Sequence, residues 1–351
     1  MSTNALHTCE QRSGEDGTWR DVAATIGAVR LPSKDTLQIC FAHPAYQMAA
    51  RFAAREEGIA HVQAWTLEEL AAELPRADVL VVSQMWKNEL AARADKLRFI
   101  QSISAGVDQY DQALLRAHGI RLASAAGITA HAVAEHAMAL ILALQRHLHT
   151  GRDNQARKHW RAMISHIPSR EDQLGGKTLL IVGLGRIGIR LAKLARAFDM
   201  RVVATKRDAS RGGEGVDAVY PNDALLEVLP SADIVALTSA LTPGTENLID
   251  GEALAAMKPS AHLINVARGR IVDEDALIRA LRDQRLAAAA LDVTREEPLP
   301  AASPLWSLPN VLITAHKGGE TQRIEEGVID LLMENLGRLW RGERVLKNQV
   351  L

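Results

Sequence analysis

Thr178-Leu179-Leu180-Ile181-Val182-Gly183-Leu184-Gly185-Arg186-Ile187-Gly188 decides the fold of this 351-residue chain. Its first five residues are a short, almost wholly apolar run, the pattern of a strand buried in a parallel sheet. A glycine turn follows at once, then a helical pattern over 189–198 and a second strand over 201–204. In that order, these four pieces form the half of a dinucleotide-binding βαβ unit where the cofactor phosphates sit. Gly183 allows the tight turn, Gly185 leaves room for a pyrophosphate, and Gly188 lets the helix pack close to the strand. The amides that open the helix, at Arg186 and Ile187, face the phosphate oxygens. A chain with 24 glycines produces GxGxxG by chance now and then. The placement between a strand and a helix of suitable length makes the motif specific.

Eighteen residues beyond Gly188, an NAD site carries Asp or Glu for the adenosine ribose hydroxyls. Here Lys206 stands at that place, followed by Arg207. Two cations at a strand end suit a ribose 2′-phosphate, which accepts charge-assisted hydrogen bonds that a bare ribose does not need. The expected cofactor is therefore NADP, with NAD possible. The alternative is an ordinary solvated pair of cations.

The length allows two domains or one large one, and 47% hydrophobic residues supply enough for two cores. A net charge of -1 gives no global attraction for nucleic acid or an anionic membrane. Any anionic ligand must be held by local cations. Cys9 and Cys40 have no metal-ligand spacing, so neither a metal site nor a disulfide scaffold is expected. The first thirty residues carry no apolar signal region or membrane span, so the expectation is a soluble, cytoplasmic protein with a polar extension over 1–35 and a short helix near 19–29.

Strand patterns recur at 36–42, 61–64, 78–83, 97–104 and 121–124, with helical patterns at 46–57, 67–74, 89–96 and 112–117 between them. A long Ala-rich helix is expected over 129–148 and another over 153–163. Further strands follow at 178–182, 201–204, 218–220, 233–238, 262–266, 287–293 and 311–314. The helices among them fall at 186–198, 223–229, 251–257 and 275–281, and a closing helix at 320–341. This alternation predicts an α/β chain of two Rossmann-like domains, one flavodoxin-like and one NAD(P)-binding, with parallel sheets.

In such sheets ligands bind beyond the carboxyl ends of the strands. Arg268 follows one strand, Asp292 ends another with Glu297 just after it, and His316 follows a third. Taken singly each is ordinary; together beside a nucleotide fold they suggest an acid–base site. Hydride transfer from a nicotinamide leaves negative charge on a substrate carbonyl oxygen. His316 can supply the proton, with Glu297 orienting it and keeping it charged. Arg268 can hold a substrate carboxylate with its planar fork and polarise the carbonyl. Asp292 is placed to accept a hydrogen bond from the carboxamide.

These segments together resemble the D-isomer-specific 2-hydroxyacid dehydrogenase family from about Thr36 onward. Residues 263–273 resemble the segment with the substrate arginine, residues 290–298 the one with the nicotinamide aspartate and the glutamate, and 315–319 the one with the catalytic histidine. Ser104-Ala105-Gly106-Val107-Asp108 resembles the loop whose amides hold the substrate carboxylate, at Ala105 and Gly106. Gly127-Ile128-Thr129-Ala130 with Val133-Ala134-Glu135-His136 matches the start of the interdomain helix. The resemblance implies a catalytic domain from 36–135 and 315–351, a nucleotide-binding domain over 136–314, and a homodimer. It also implies reduction of a small anionic 2-oxo acid of glyoxylate or hydroxypyruvate type. Trp86 is either a wall of the substrate pocket or a packing residue. Departures from the pattern are Lys206, Ser239-Ala240, Thr129 and Ala315, none of which removes a catalytic group. The rival readings are oxidation of another small oxyanion such as phosphite, and a nucleotide-sensing, corepressor-like interaction module. No nucleic-acid-binding motif is present.

Overall fold

Each apolar run expected to be a strand forms one, and each pairs in parallel with its neighbour. The computed structural model describes residues 30–213 and 215–351, so the expected helix near 19–29 lies outside the described residues. The chain divides into two units: a first that runs to Ala125 and also takes Glu325–Leu351, and a second spanning Ala126–Ile324.

The first unit contains β1 (Gln38–Ala42), α1 (Met48–Ala53), β2 (Ala60–Ala64), α2 (Leu67–Glu73), β3 (Val79–Val82), β4 (Phe99–Ser102), α3 (Gln112–Ala117) and β5 (Arg121–Ala123). Its sheet order, β2-β1-β3-β4-β5, is the flavodoxin-like one. Register is set by apolar pairs such as Cys40 between Val62 and Leu80. Thr66 and Asp111 cap α2 and α3 by accepting from the amides of Glu69 and Leu114. The closing helix Ile324–Trp340 is tied to β4 by Asn335, fully buried, whose amide donates to Gln101 at 3.0 Å. The helix expected over 89–96 is instead a 3-10 segment, Asn88–Arg93, because Leu90 and Ala94 bond three residues back, to Lys87 and Ala91.

The second unit begins with α4 (Ala130–Gln145) and α5 (Leu148–Ala156). It continues through β6 (Thr178–Val182), α6 (Arg186–Arg196), β7 (Arg201–Lys206), β8 (Ala218–Pro221), α7 (Leu225–Val228) and β9 (Ile234–Leu237). α8 (Gly251–Ala256), β10 (His262–Asn265), α9 (Glu274–Arg282), β11 (Ala288–Leu291) and β12 (Val311–Ile313) complete it. The seven strands are ordered β12-β11-β10-β9-β6-β7-β8, which is the doubly wound Rossmann order with one strand added. Alternate residues feed two cores. Leu180, Val182, Val235, Leu237, Leu263 and Leu291 pack with Leu225, Leu254 and Leu277 from α7–α9 on one face. Leu179, Ile181, Ala236, Ile264 and Ala290 pack with Ala134, Ile141 and Leu191 from α4 and α6 on the other. With both faces buried, the strands read as unbroken apolar runs rather than alternating ones.

α4 packs on α6, β10 and β11, so it belongs with the second unit, and the division falls about ten residues outside the expected limits at 136 and 314. Two expected helices are corrected. The helix over 129–148 stops at Gln145, where His147 turns left-handed at φ 49° and α5 starts anew. The helix over 153–163 does not extend past Ala156: Lys158 is left-handed at φ 55° and no residue of α5 is buried, so no core holds a continuation. Trp160 and Met163, which follow it, are 96% and 99% exposed. Among the described residues no helix is long and apolar enough to cross a membrane, and no cluster of His, Cys, Asp and Glu could hold a metal.

Candidate active site

Strand order reverses between β6 and β9, and the glycine turn sits there. Gly183 has φ +99°, and a Cβ on it would lie 2.6 Å from the Ser239 Cα. A Cβ at Gly188 would lie 2.7 Å from the Gly183 carbonyl oxygen, so α6 packs against the turn at a distance only glycine permits. Thr238 Oγ1 donates to that carbonyl at 2.7 Å, while the amides of Gly183 and Leu184 donate to Thr205 at 3.1 and 3.2 Å. Gly185 is the N-cap of α6 and has open space where a side chain would be. The opening amides, including those of Arg186 and Ile187, have no acceptor within the helix. Beside them the buried Ser239 Oγ has no hydrogen-bond partner among the described residues. Unfilled space, amides with no acceptor in their own helix and a positive helix end fit a dinucleotide pyrophosphate. Arg186 also reaches back, its guanidinium donating to the Ala126 carbonyl.

Lys206 is the last residue of β7, paired with Pro221 of β8, and among the described residues its Nζ makes only a long contact of 3.4 Å to the Gly212 carbonyl. Arg207 follows and is exposed. Both cations thus stand at the carboxyl end of the second strand of the unit.

The candidate reacting groups follow three adjacent strands, β10, β11 and β12. Asn265, 1% exposed, ends β10 and folds the next turn around itself. Its Nδ2 donates to the Arg268 carbonyl at 3.0 Å and its Oδ1 accepts from the Ala267 amide at 3.0 Å. A Cβ on Gly269 would lie 1.9 Å from the Thr294 carbonyl carbon. The arginine turn is therefore pressed against the segment that follows β11. In that segment Glu297 Oε1 accepts from the Thr294 amide at 3.1 Å, and Oε2 lies 2.6 Å from His316 Nδ1. Glu297 and His316 are each 37% exposed, so the pair is open to ligand. His316 has φ +47°, a left-handed conformation that costs a non-glycine residue about 1–3 kcal/mol.

Asp292 follows the last residue of β11 and is 3% exposed. Its Oδ1 accepts from Thr314 Oγ1 at 2.6 Å and the Lys317 amide at 3.1 Å, and its Oδ2 from the Gly318 amide at 2.9 Å. His136 Nε2 is 3.3 Å from Oδ1. Burial alone would raise the carboxyl's pKa, but the hydrogen bonds from His136, Thr314, Gly318 and Lys317 outweigh it and hold it at about 2. Asp292 is thus a carboxylate whose first task is to organise the loop that carries His316. His136 and Thr314 were missed by the sequence reasoning. The one available signal was a histidine on an otherwise small and apolar helix face.

Within the first unit, Ala105 and Gly106 lie just beyond the carboxyl end of β4. Ser104 shapes their loop, its Oγ donating to the Gly106 carbonyl at 2.7 Å. Trp86 is corrected from a possible pocket wall to a core residue: it is 2% exposed, packs among Leu80, Leu90 and Tyr110, and spends its indole N–H on Asn88 at 3.0 Å.

A glycine turn at the switch point, with a cation and a paired histidine beyond neighbouring strands, defines a dinucleotide-binding oxidoreductase. Comparison with known proteins narrows the class. Residues 138–318 match the family model described as D-isomer specific 2-hydroxyacid dehydrogenase, NAD binding domain. The glyoxylate reductase of Pyrococcus furiosus is 36% identical over 79% of this chain and 83% of its own length. The glyoxylate/hydroxypyruvate reductase B of Erwinia tasmaniensis is 38% identical over 75% and 81%. A crystal structure from Thermus thermophilus superposes with a TM-score of 0.78 at 34% identity, covering 90% of this chain and all of that one. The chain belongs to the D-isomer-specific 2-hydroxyacid dehydrogenase family, and its second unit carries the fold that binds a nicotinamide cofactor.

Proposed function

We propose that the chain reduces a small 2-oxo acid of glyoxylate or hydroxypyruvate type to the D-2-hydroxy acid, with NADPH preferred to NADH. The observation that carries this reading is the 2.6 Å pair of His316 Nδ1 and Glu297 Oε2, on segments adjoining the Arg268 turn. A bound nicotinamide supplies the hydride for the carbonyl carbon. Arg268 holds the substrate carboxylate and polarises the carbonyl. His316 delivers the proton to the carbonyl oxygen from Nε2, the nitrogen Glu297 does not engage. Glu297, fixed by the Thr294 amide, orients the ring through its contact with Nδ1. Asp292 keeps acceptor capacity on Oδ2 for the carboxamide, because among the described residues only the Gly318 amide is bonded there. The amides of Ala105 and Gly106 are assigned to the substrate carboxylate.

Lys206 and Arg207 support the cofactor preference, since a 2′-phosphate brings negative charge to two cations, one held among the described residues only by a long contact and the other exposed. Charged hydrogen bonds contribute on the order of 1.5–3 kcal/mol, so even one screened contact favours NADPH by about tenfold. A homodimer is also part of the reading, because the near-complete exposure of Trp160 and Met163 suits a surface covered by a second copy. The free, buried Cys40 suits a reducing cytoplasm. The test is steady-state reduction of a panel of 2-oxo acids, followed by reduced-nicotinamide absorbance with each cofactor. Lys206→Asp combined with Arg207→Ala is expected to reverse the preference through KM. A native enzyme that favours NADH would assign these cations to the solvated surface, and no turnover of any 2-oxo acid would reject the function.

A further inference from the structure

We infer that His136 is a positioning residue for the reaction proposed above: its Nε2–H, passed through the Thr314 hydroxyl to the Asp292 carboxylate, locks the loop from Thr314 to Gly318 in the conformation that presents His316 to Glu297. The inference rests on that functional reading for its kinetic arm only.

The loop is short and heavily constrained. The Thr314 amide donates to the Leu291 carbonyl at 2.9 Å and the His316 amide to the Asp292 carbonyl at 2.7 Å. The Asp292 carboxylate then gathers the Lys317 and Gly318 amides and the Thr314 hydroxyl. A residue at φ +47°, as His316 is, persists only where its surroundings over-determine it. His136 is the part of that restraint supplied from α4, beside the part that Leu291 and Asp292 supply from the end of β11. Its Nε2 is 2.9 Å from Thr314 Oγ1 and 3.3 Å from Asp292 Oδ1. Thr314 has a single hydroxyl proton, and the 2.6 Å contact commits it to the carboxylate. The hydroxyl oxygen must therefore accept from His136, which fixes the ring as an Nε2–H donor.

The helix beneath is a firm base. On α4, Ala134, Ala137 and Ile141 are fully buried in the core, so the backbone that carries the ring is held in place. The loop also passes in contact with the ring: a Cβ on Gly318 would lie 3.1 Å from His136 Cδ2 and 2.9 Å from Asp292 Oδ2. A donor, a hydroxyl and a carboxylate in series thus connect α4 to the Lys317 and Gly318 amides, which directly follow the proton-donating histidine.

The experiment compares His136→Leu, His136→Gln and Thr314→Val with the native enzyme. Glutamine places an amide N–H near the position of Nε2, whereas leucine offers no donor. His136→Leu is expected to lower kcat by roughly 10–100-fold, because a small misplacement of a catalytic group costs that much. KM and the dissociation constant for reduced cofactor should stay within about threefold, and the solvent isotope effect on kcat should rise. His136→Gln should recover activity to within about threefold of native. Thr314→Val should match His136→Leu, and the double variant should be no worse than either, since both break one chain. The arm that does not depend on turnover is amide exchange at Lys317 and Gly318, expected to quicken at least about tenfold in His136→Leu and to return in His136→Gln. If His136→Leu does not fold, His136→Asn, whose amide stops short of Thr314, takes its place. Native kcat and native exchange in the donor-less variant, a glutamine variant as impaired as leucine, or losses that multiply in the double variant would each overturn the inference. A native enzyme inactive on every 2-oxo acid overturns the function instead, and leaves the exchange arm to decide on His136.

Discussion

Lowering the pH from about 7.5 to 5 should destabilise the second unit through one side chain, His262. It opens β10 at the amino ends of the strands, away from the reacting groups, and its Nδ1 is buried with no partner among the described residues. Burial, followed by the nearby His147, Lys177 and His149, pushes its imidazole from 6.5 down to about 4. Above pH 6.5 both the folded and the unfolded ring are neutral, and the group adds no pH dependence. Between those values the unfolded chain binds a proton that the folded one refuses, so stability falls as pH falls, and the loss is complete below about 4. Each pH unit in that window costs about 1.4 kcal/mol, which makes the loss about 2 kcal/mol by pH 5. Hydrogen exchange of peptides covering β6 and β10, compared between native protein and His262→Gln at each pH, isolates this contribution and cancels the intrinsic pH dependence of exchange. The variant should lose protection more slowly on acidification, by about 2 kcal/mol at pH 5. Parallel loss in the two proteins would show that the folded ring accepts a proton freely, and would refute the reasoning.

Three further outcomes concern the site. His316→Gln should lower kcat by roughly 10²–10⁴ while reduced-cofactor binding, measured by fluorescence titration, stays close to native; activity within a few-fold of native would remove it as proton donor. Arg268→Lys keeps the charge but loses the fork, so KM for 2-oxo acids should rise and kcat fall with cofactor affinity little changed. Equal loss of substrate and cofactor binding would move Arg268 into the support of the fold. Gly269→Ala forces a Cβ against Thr294, where 1.9 Å is available, and should lower stability by about 1–3 kcal/mol or more. A Tm within a degree of native would mean that the turn relaxes freely.

The sheet was legible because each strand is buried on both faces, which leaves runs such as residues 178–182 and 79–82 with no alternation to confuse them with amphipathic helices. Glycines were legible where a close approach leaves no choice, as at Gly183 and Gly188. Arg268, Glu297 and His316 could be placed from sequence because the carboxyl end of a parallel strand is a fixed address in the fold. The segment after Gln145 was misread because its helical pattern has no core to face, and the break rests on the left-handed turn of His147. Trp86 was ambiguous because one aromatic after a strand reads the same whether it lines a pocket or fills a core. The His136–Thr314 bond joins residues 178 positions apart, and no local pattern encodes so distant a partner.

The seam between β6 and β9 has a consequence for how such a protein can change. Lys206 and Arg207 hang from β7 on one side of it, while Arg268, Glu297 and His316 hang from β10 to β12 on the other. The two groups sit on separate strands of one sheet. On the proposed reading, substitutions at the β7 end retune the cofactor preference without touching the groups at the other end. A lineage, or a designer, then exchanges one redox currency for another in a few steps while Arg268, Glu297 and His316 remain as they are.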